Sequence, residues 1–461
     1  MGSMGSRCAG LIAVVLGACG HNSGGFQDAA IDAGYDPDAC VGLECFQFDC
    51  SMKGAPPTSI SGTVYAPNGT LPLYGVDVYV PRSDPGPLPD GAQCARCDQG
   101  LLGGSYAQTR TDEAGHFVLE NVPATKDVPL VIQTGKWRKQ LVIANVAACE
   151  DLPLPMTDTR LPRDRSEGDM PLIAISTGAA DALECLPLKL GIAPKEITTQ
   201  AAGGRIQLVT NPVAGGQGAA SFQANWPGGA GNMSNSQTLW SSVNNLKAYD
   251  IVILSCEGSQ YPATKPTTSL DAMRQYADLG GRVFASHWHN IWIEGGGAGA
   301  TAPPDWVSVA TWNNSNTTFN SPPAGTDGPD FIDEVSNPKG MSFATWMLNV
   351  GGSTVRDQIP ISNGKQTAIG VDALKAERWV YWVNAANQTF PQNFQFTTPQ
   401  NVPSDQRCGK VVFSDMHVSS GSSSAPGVPY PGGCNMGPLT PQEKALAFMF
   451  FDIASCVGSI F

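Results

Sequence analysis

Apolar and polar positions alternate along this chain in two different rhythms, and the change of rhythm divides it. From about Ser59 to Cys149 apolar residues recur at every second position in short runs, "SISGTVYAPNG", "GVDVYVP", "YAQTRTDEAGHFVLENVP" and "VPLVIQTGKWRKQLVIANV", broken by Asn-Gly, Pro and Ala-Gly. Period two with such punctuation predicts a β-sandwich over 58–150. Residues 151–170, "DLPLPMTDTRLPRDRSEGDM", are Pro-rich and charged and read as a linker. Beyond them continuous apolar runs, 171–177, 205–210, 250–256, 281–287 and 410–417, alternate with helical patterns over 179–191, 237–248, 268–279 and 440–456. The last helix has Pro441 at a first-turn position, where its missing N–H costs nothing. Apolar strands alternating with helices predict a parallel sheet covered on both faces, so 171–461 reads as a flavodoxin-like three-layer α/β domain. Between its fourth and fifth strands lies a long insertion, 295–400, with a helix at Ser342–Val350 and strands "RWVYWVN" and "NFQFTT". Emerging at the sheet mouth, it can act as a lid. The fold class is therefore multidomain.

Composition narrows the partners. The chain has 461 residues, 42% of them hydrophobic, enough for at least two cores. A formal net charge of −13 repels a polyphosphate backbone and argues against nucleic acid. The loop containing Gly215-Gly216-Gln217-Gly218 lacks the spacing of a phosphate cradle. At the N-terminus Arg7 precedes the apolar run Ala9–Leu16, too short to span a bilayer and suited to a secretory signal. Thirteen cysteines fit an oxidising compartment. Without Cys8 and Cys19 the remainder is odd, which leaves at least one unpaired, and spacing does not give the connectivity. Cys94-Ala-Arg-Cys97 reads as a structural staple ahead of a redox pair or half a zinc site. Residues 20–57 read as an acidic tether closed by a small knot of Cys40, Cys45 and Cys50. Lys136-Trp137-Arg138-Lys139 reads either as a contact for an acidic partner or glycan, or as a strand end with a packed Trp.

The chemistry gathers at the strand ends, where an open α/β sheet binds its ligands. In a flavodoxin-like order the third, fourth and fifth strands are neighbours, and their ends are Ser255-Cys256-Glu257, Ser286-His287-Trp288-His289 and Asp415-Met416-His417. Three of the five histidines thus converge. Residues two apart on a strand point the same way, so His287 with His289 and Asp415 with His417 can ligate a divalent metal such as zinc while the chain stays extended; a helix starting at His287 breaks that pairing. Without metal, Cys256 or Ser286 can serve as nucleophile, with His287 or His417 as base, Asp415 as orienter and Glu257 beside them. The plainer reading is that these histidines hydrogen-bond strand-end loops. Trp288, His289 and Trp292 can form a ligand-binding platform for a pyranose ring, or pack in the core.

Three resemblances add to this. Leu16-Gly17-Ala18-Cys19 resembles the lipobox of bacterial lipoproteins, which implies lipidation at Cys19 and a membrane anchor; Gly20 after it implies sorting to the outer membrane. Ser61-Gly62-Thr63-Val64, the hairpin Thr111–Phe117 and Val122-Pro123 resemble the carboxypeptidase regulatory-like (transthyretin-like) domain, a stability or adhesion element, which makes His116 a surface strand residue. "LKAYDIVILSCEG" followed by "AMRQYADLGGRVFASHWHN" is similar to the class I glutamine amidotransferase-like superfamily, over about 171–290 and the final strand and helix. Where an amidotransferase carries its cysteine this chain has Ala285-Ser286-His287, closer to the trehalose-utilisation (ThuA-like) branch. That implies lost glutaminase activity and a sugar-related ligand, and leaves Cys256 able to bridge to Cys185. Two functions are then in play: a lipid-anchored protein binding a glycan or envelope protein through a degenerate domain, or an exported hydrolase or metal-dependent enzyme acting on sugar or amide bonds.

Overall fold

The computed structural model describes residue 40 and residues 42–295, 304–313, 328–362, 364–418 and 427–458. The signal segment, Cys19 and the tether up to residue 39 lie outside the described residues. The described chain is mixed α/β with several sheets, one containing parallel strands.

The period-two region forms two small sheets. Ser59–Thr63 pairs antiparallel with His116–Glu120 and parallel with Asp151–Pro153. A four-stranded antiparallel sheet runs Ala107–Arg110, Asp77–Val80, Lys126–Thr134, Trp137–Asn145. Alternation does the sorting: Phe117 and Leu119 are buried while His116, Val118 and Glu120 face outward, so His116 is an exposed strand residue. The segment expected as a linker begins inside a sheet, and its Arg160 and Arg163 pair with Glu167 at 2.6 and 3.0 Å.

Lys136–Lys139 is turned inward. Trp137 is fully buried, and its ring lies 6.4 and 6.2 Å from those of Phe450 and Phe451 on the last helix. Lys136 forms an ion pair with Asp250, just ahead of a parallel strand. Gly135 permits the approach: with φ +55°, a Cβ there would stand 1.8 Å from the Ala454 carbonyl oxygen.

Five parallel strands follow, Ile173–Thr177, Ile206–Thr210, Ile251–Leu254, Arg282–Ser286 and Gly409–Ser414, termed first to fifth in chain order. Across the sheet they stand second, first, third, fourth, fifth. Every residue in them is buried, because each face has its own core. Ile173, Ile175, Ile253, Phe284 and Val412 join a core shared with the N-terminal sheets and the last helix. Ala174, Val252, Leu254, Val283 and Val411 face Leu270, Met273 and Tyr276 of helix Thr267–Asp278. At roughly 1.5–3 kcal/mol per buried aliphatic side chain, this double burial anchors the rim where the strands end. The last helix, Pro441–Ala454, starts with a capping box: the Glu443 N–H donates to Thr440 Oγ1, and the Thr440 N–H to the Glu443 carboxylate.

Several expectations change. The 179–191 pattern yields only a 3-10 turn, Leu183–Cys185, and one helical turn, Leu186–Lys189. Helix 237–248 breaks into Ser236–Leu239 and Val243–Leu246. The described part of the insertion widens the sheet, adding Thr389–Thr398, Ala376–Val383, Pro329–Ile332 and Gln358–Pro360 antiparallel beyond the fifth strand. Cys50 reaches Cys149 across 99 residues instead of closing a local knot; Cys40 and Cys45 are also disulfide-bonded. Cys94 and Cys97 staple the β-rich region to Cys408 and Cys456. Cys185 pairs with Cys434, so the bridge to Cys256 does not form, and Cys256 is a buried free thiol.

Candidate functional site

Register places the site. Leu254 lies opposite Ala285, and Ser286 opposite Ser414, so Cys256, His287 and His417 leave the third, fourth and fifth strands on one rim. The fourth strand does not stay extended. It turns at His287 into a 3-10 segment, His287–Asn290, and then a helical turn, Ile291–Glu294. His287 has φ +41°, a left-handed conformation uncommon for a residue with a Cβ.

That turn aims the imidazole at its neighbours. His287 Nδ1 lies 3.4 Å from Cys256 Sγ and 3.2 Å from His417 Nε2, and one ligand atom from each of the three residues falls within 4.8 Å of the others. Cys256 is 0% exposed, and His287 and His417 3%. Burial pushes the Cys256 thiol up to about 12, despite N–H groups of Trp288 and Gly258 directed at the sulfur. Burial, then competition with the neighbouring His417 imidazole, holds His287 well below the usual imidazole range. His417 is lowered too, by burial, with Asp181 opposing. Neutral thiol and neutral imidazoles therefore face each other.

Asp181 is the residue that sequence reasoning missed. Its Oδ2 accepts from Ser286 Oγ at 2.8 Å and its Oδ1 from the Val418 N–H at 3.1 Å, tying the ends of the fourth and fifth strands together. It stands in the loop after the first strand, where the strand order reverses, and that position was the available signal. Reading the loop as helix concealed it. Gly178 lets the loop in, since a Cβ there would lie 2.2 Å from the Cys256 carbonyl oxygen.

The other expected site residues go elsewhere. Ser286 donates to Asp181 and not to an imidazole. The turn at His287 sends His289 away from the cluster: Trp292 Nε1 donates to His289 Nδ1 at 3.0 Å, and His289 Nε2 meets the Ser255 carbonyl at 2.9 Å. Trp292, 1% exposed, is thereby a core residue and not a stacking platform; Trp288 stays half-buried, its ring 4.9 Å from that of His287. Asp415 turns to the insertion, where it accepts from Thr367 Oγ1 at 2.5 Å and from the N–H groups of Thr367 and Ala368 at 2.8 and 3.0 Å. Burial raises its carboxyl to about 6. The set His287, His289, His417 and Asp415 is thus not assembled; Cys256, His287 and His417 are. Glu257, next along the chain, pairs with Lys265 at 2.7 Å and accepts from Asn211.

No family model matches the chain, and no curated protein matches it. Among solved structures, a ThuA-like protein from Bacteroides uniformis is 12% identical over 63% of this chain and 90% of that one, with a TM-score of 0.30. A cytoplasmic protein from Salmonella typhimurium is 11% identical over 61% and 98%, with a TM-score of 0.29. A type II cohesin–X-dockerin complex from Acetivibrio cellulolyticus is 15% identical over 32% and 88%, with a TM-score of 0.17. TM-scores this low carry no argument, so the site stands on its own geometry.

Proposed function

We propose that the chain is an exported, lipid-anchored envelope protein whose α/β region is a degenerate amidotransferase-like, flavodoxin-like domain that binds a ligand at the rim of the third to fifth strands without hydrolysing glutamine. Residues 58–150 are, in this reading, a carboxypeptidase regulatory-like β-sandwich that serves as a stability or adhesion element. The residue at the strand-to-helix turn carries the proposal. His287, at φ +41°, occupies the strained position from which an elbow presents its nucleophile, while the thiol comes from the neighbouring strand, sealed and protonated. A thioester mechanism needs a thiolate open to substrate.

Export is supported by the bridged cysteines, ten in number. The outer-membrane anchor rests on the lipobox-like Leu16-Gly17-Ala18-Cys19. No helix of the described residues is long and apolar enough to cross a membrane. Of the residues read as a pyranose platform, Trp288 remains, beside the ThuA-like resemblance, to support a carbohydrate ligand. Purified protein incubated with glutamine releases no ammonia above buffer, and Cys19→Ala moves the protein from the membrane fraction to the soluble one. Ammonia release abolished by Cys256→Ser, or membrane retention of Cys19→Ala, overturns the respective half of the proposal. A second reading, a metal-dependent hydrolase, is favoured by one observation, the convergence of three donor side chains at one point.

A further inference from the structure

We propose that Cys256, His287 and His417 form a three-ligand site for a thiophilic d10 cation, zinc(II) or copper(I), with the sulfur as the selecting ligand. The inference deepens the metal reading of the rim and is independent of the glycan and of the anchor.

Two of the three spacings are close to those of a coordination shell. Around a tetrahedral zinc, two imidazole nitrogens stand roughly 3.3 Å apart and a thiolate sulfur and nitrogen roughly 3.6 Å, from bond lengths of about 2.05 and 2.3 Å. His287 Nδ1 stands 3.2 Å from His417 Nε2 and 3.4 Å from Cys256 Sγ, each within a few tenths of an ångström of those values, and one ligand atom from each of the three residues lies within 4.8 Å of the others, so a cation draws the sulfur and His417 toward a common centre.

Hydrogen bonding alone serves this arrangement poorly. Cys256 Sγ and His417 Nε2 both approach His287 Nδ1, and a neutral ring nitrogen has either one proton or one lone pair there. Whichever it presents suits one approaching atom with its proton in line and leaves the other in a compromised contact. A cation among the three satisfies all of them at once. As the metal–sulfur bond forms, the thiol gives its proton to solvent, and no electron transfer is required.

Two features of the surroundings agree. Among the described residues Cys256 is the free thiol, ten other cysteines being oxidised in bridges, and it points at imidazoles. Asp181 clamps the ends of the strands that carry His287 and His417, as outer groups do where ligands must be held in place. One thiolate and two imidazoles select soft cations over magnesium or calcium, and three protein ligands leave a coordination position for one small molecule.

The test uses the full chain, first stripped of metal with a chelator. One sample is offered zinc(II); a second is offered copper(I) as its bicinchoninate complex with ascorbate, which leaves disulfides intact; a third is offered cobalt(II) as a chromophore. Expected are one equivalent of zinc or copper, a sulfur-to-cobalt charge-transfer band, and an X-ray absorption shell of one sulfur and two imidazole nitrogens in the unmutated protein. Cys256→Ser removes the band, and His287→Ala and His417→Ala reduce stoichiometry from one equivalent to none, while His116→Ala, at an exposed histidine, changes nothing. The zinc and copper arms name the metal. Failure of both to bind, or a shell lacking sulfur in the unmutated protein, overturns the proposal even if the variants misfold. Glutamine turnover bears only on the preceding reading.

Discussion

Cys256 and Glu257 are consecutive residues at the end of one strand, and they lead into two buried polar clusters of opposite design. On the Glu257 side every strong charge has a partner: Lys265 Nζ lies 2.7 Å from the carboxylate and 3.0 Å from the Gln260 carbonyl oxygen, Asn211 donates to both carboxylate oxygens, and Gln237 donates to Asn211 Oδ1. On the Cys256 side a thiol and two imidazoles crowd together, each kept neutral by burial. A cluster that satisfies itself stabilises a rim; the one that gathers a thiol and two imidazoles is the one proposed above to take a cation. The difference separates residues that hold the rim from residues proposed to bind there.

The largest expected effect breaks the first cluster. Burial pushes Glu257 up and Lys265 down, and each is pulled back by the other. Lys265→Met therefore strands a buried carboxylate, and the loss of unfolding free energy is about 3–5 kcal/mol at pH 7, read from urea denaturation. The loss shrinks at pH 5, where Glu257, deprived of its cation, takes up a proton. A loss that is small and independent of pH would mean that the pair does not hold the rim.

Asp330 sharpens the contrast from the other direction, as a carboxyl with no such cation. It is 3% exposed on the strand Pro329–Ile332, and burial alone raises its pKa to about 8. The folded state then holds a proton that the unfolded state has released between about pH 4 and pH 8, so stability falls as pH rises through that window and levels off above it. Asp330→Asn is accordingly close to neutral at pH 4 and more stable than the unmutated protein by a few kcal/mol at pH 8 to 9. Thermal melts at both pH values check this. A gap that does not widen with pH would show that Asp330 ionises freely in the folded protein.

What the sequence disclosed follows the same division. Three elements made by repeated apolar spacing were legible nearly to the residue, while the patterns 179–191 and 237–248 were not: helix 268–279 is Thr267–Asp278, the 281–287 run is Arg282–Ser286, and Ser342–Val350 is Gly340–Asn349. Burial of a continuous face fixes those elements, and the spacing records it. The rim itself was half legible. Convergence of Cys256, His287 and His417 followed from strand order, but the fates of His289 and Asp415 did not, because the period-two rule lapses where the chain turns at His287. Asp181 was hidden by an apolar spacing that tertiary contacts fold as a loop. The bridges Cys94–Cys408 and Cys97–Cys456 span 314 and 359 residues, separations at which local pattern holds no information.

The smallest effect tests whether the turn at His287 is imposed. Glycine ordinarily lowers stability relative to alanine, because it loses more freedom on folding. At φ +41° the order reverses, since alanine brings a Cβ into the left-handed region and glycine does not. Both His287→Gly and His287→Ala remove the same imidazole, so their difference isolates the backbone: His287→Gly is the more stable by about 1 kcal/mol, read from denaturation midpoints at equal slope. Equal stabilities would mean that the turn relaxes once the imidazole is gone, and that the side chain, not Asp181 and the strand pairing, holds it. Zinc then tells the two clusters apart. Saturating metal raises the midpoint of the unmutated protein and leaves both His287 variants where they were, because only a state that binds the ligand gains from it.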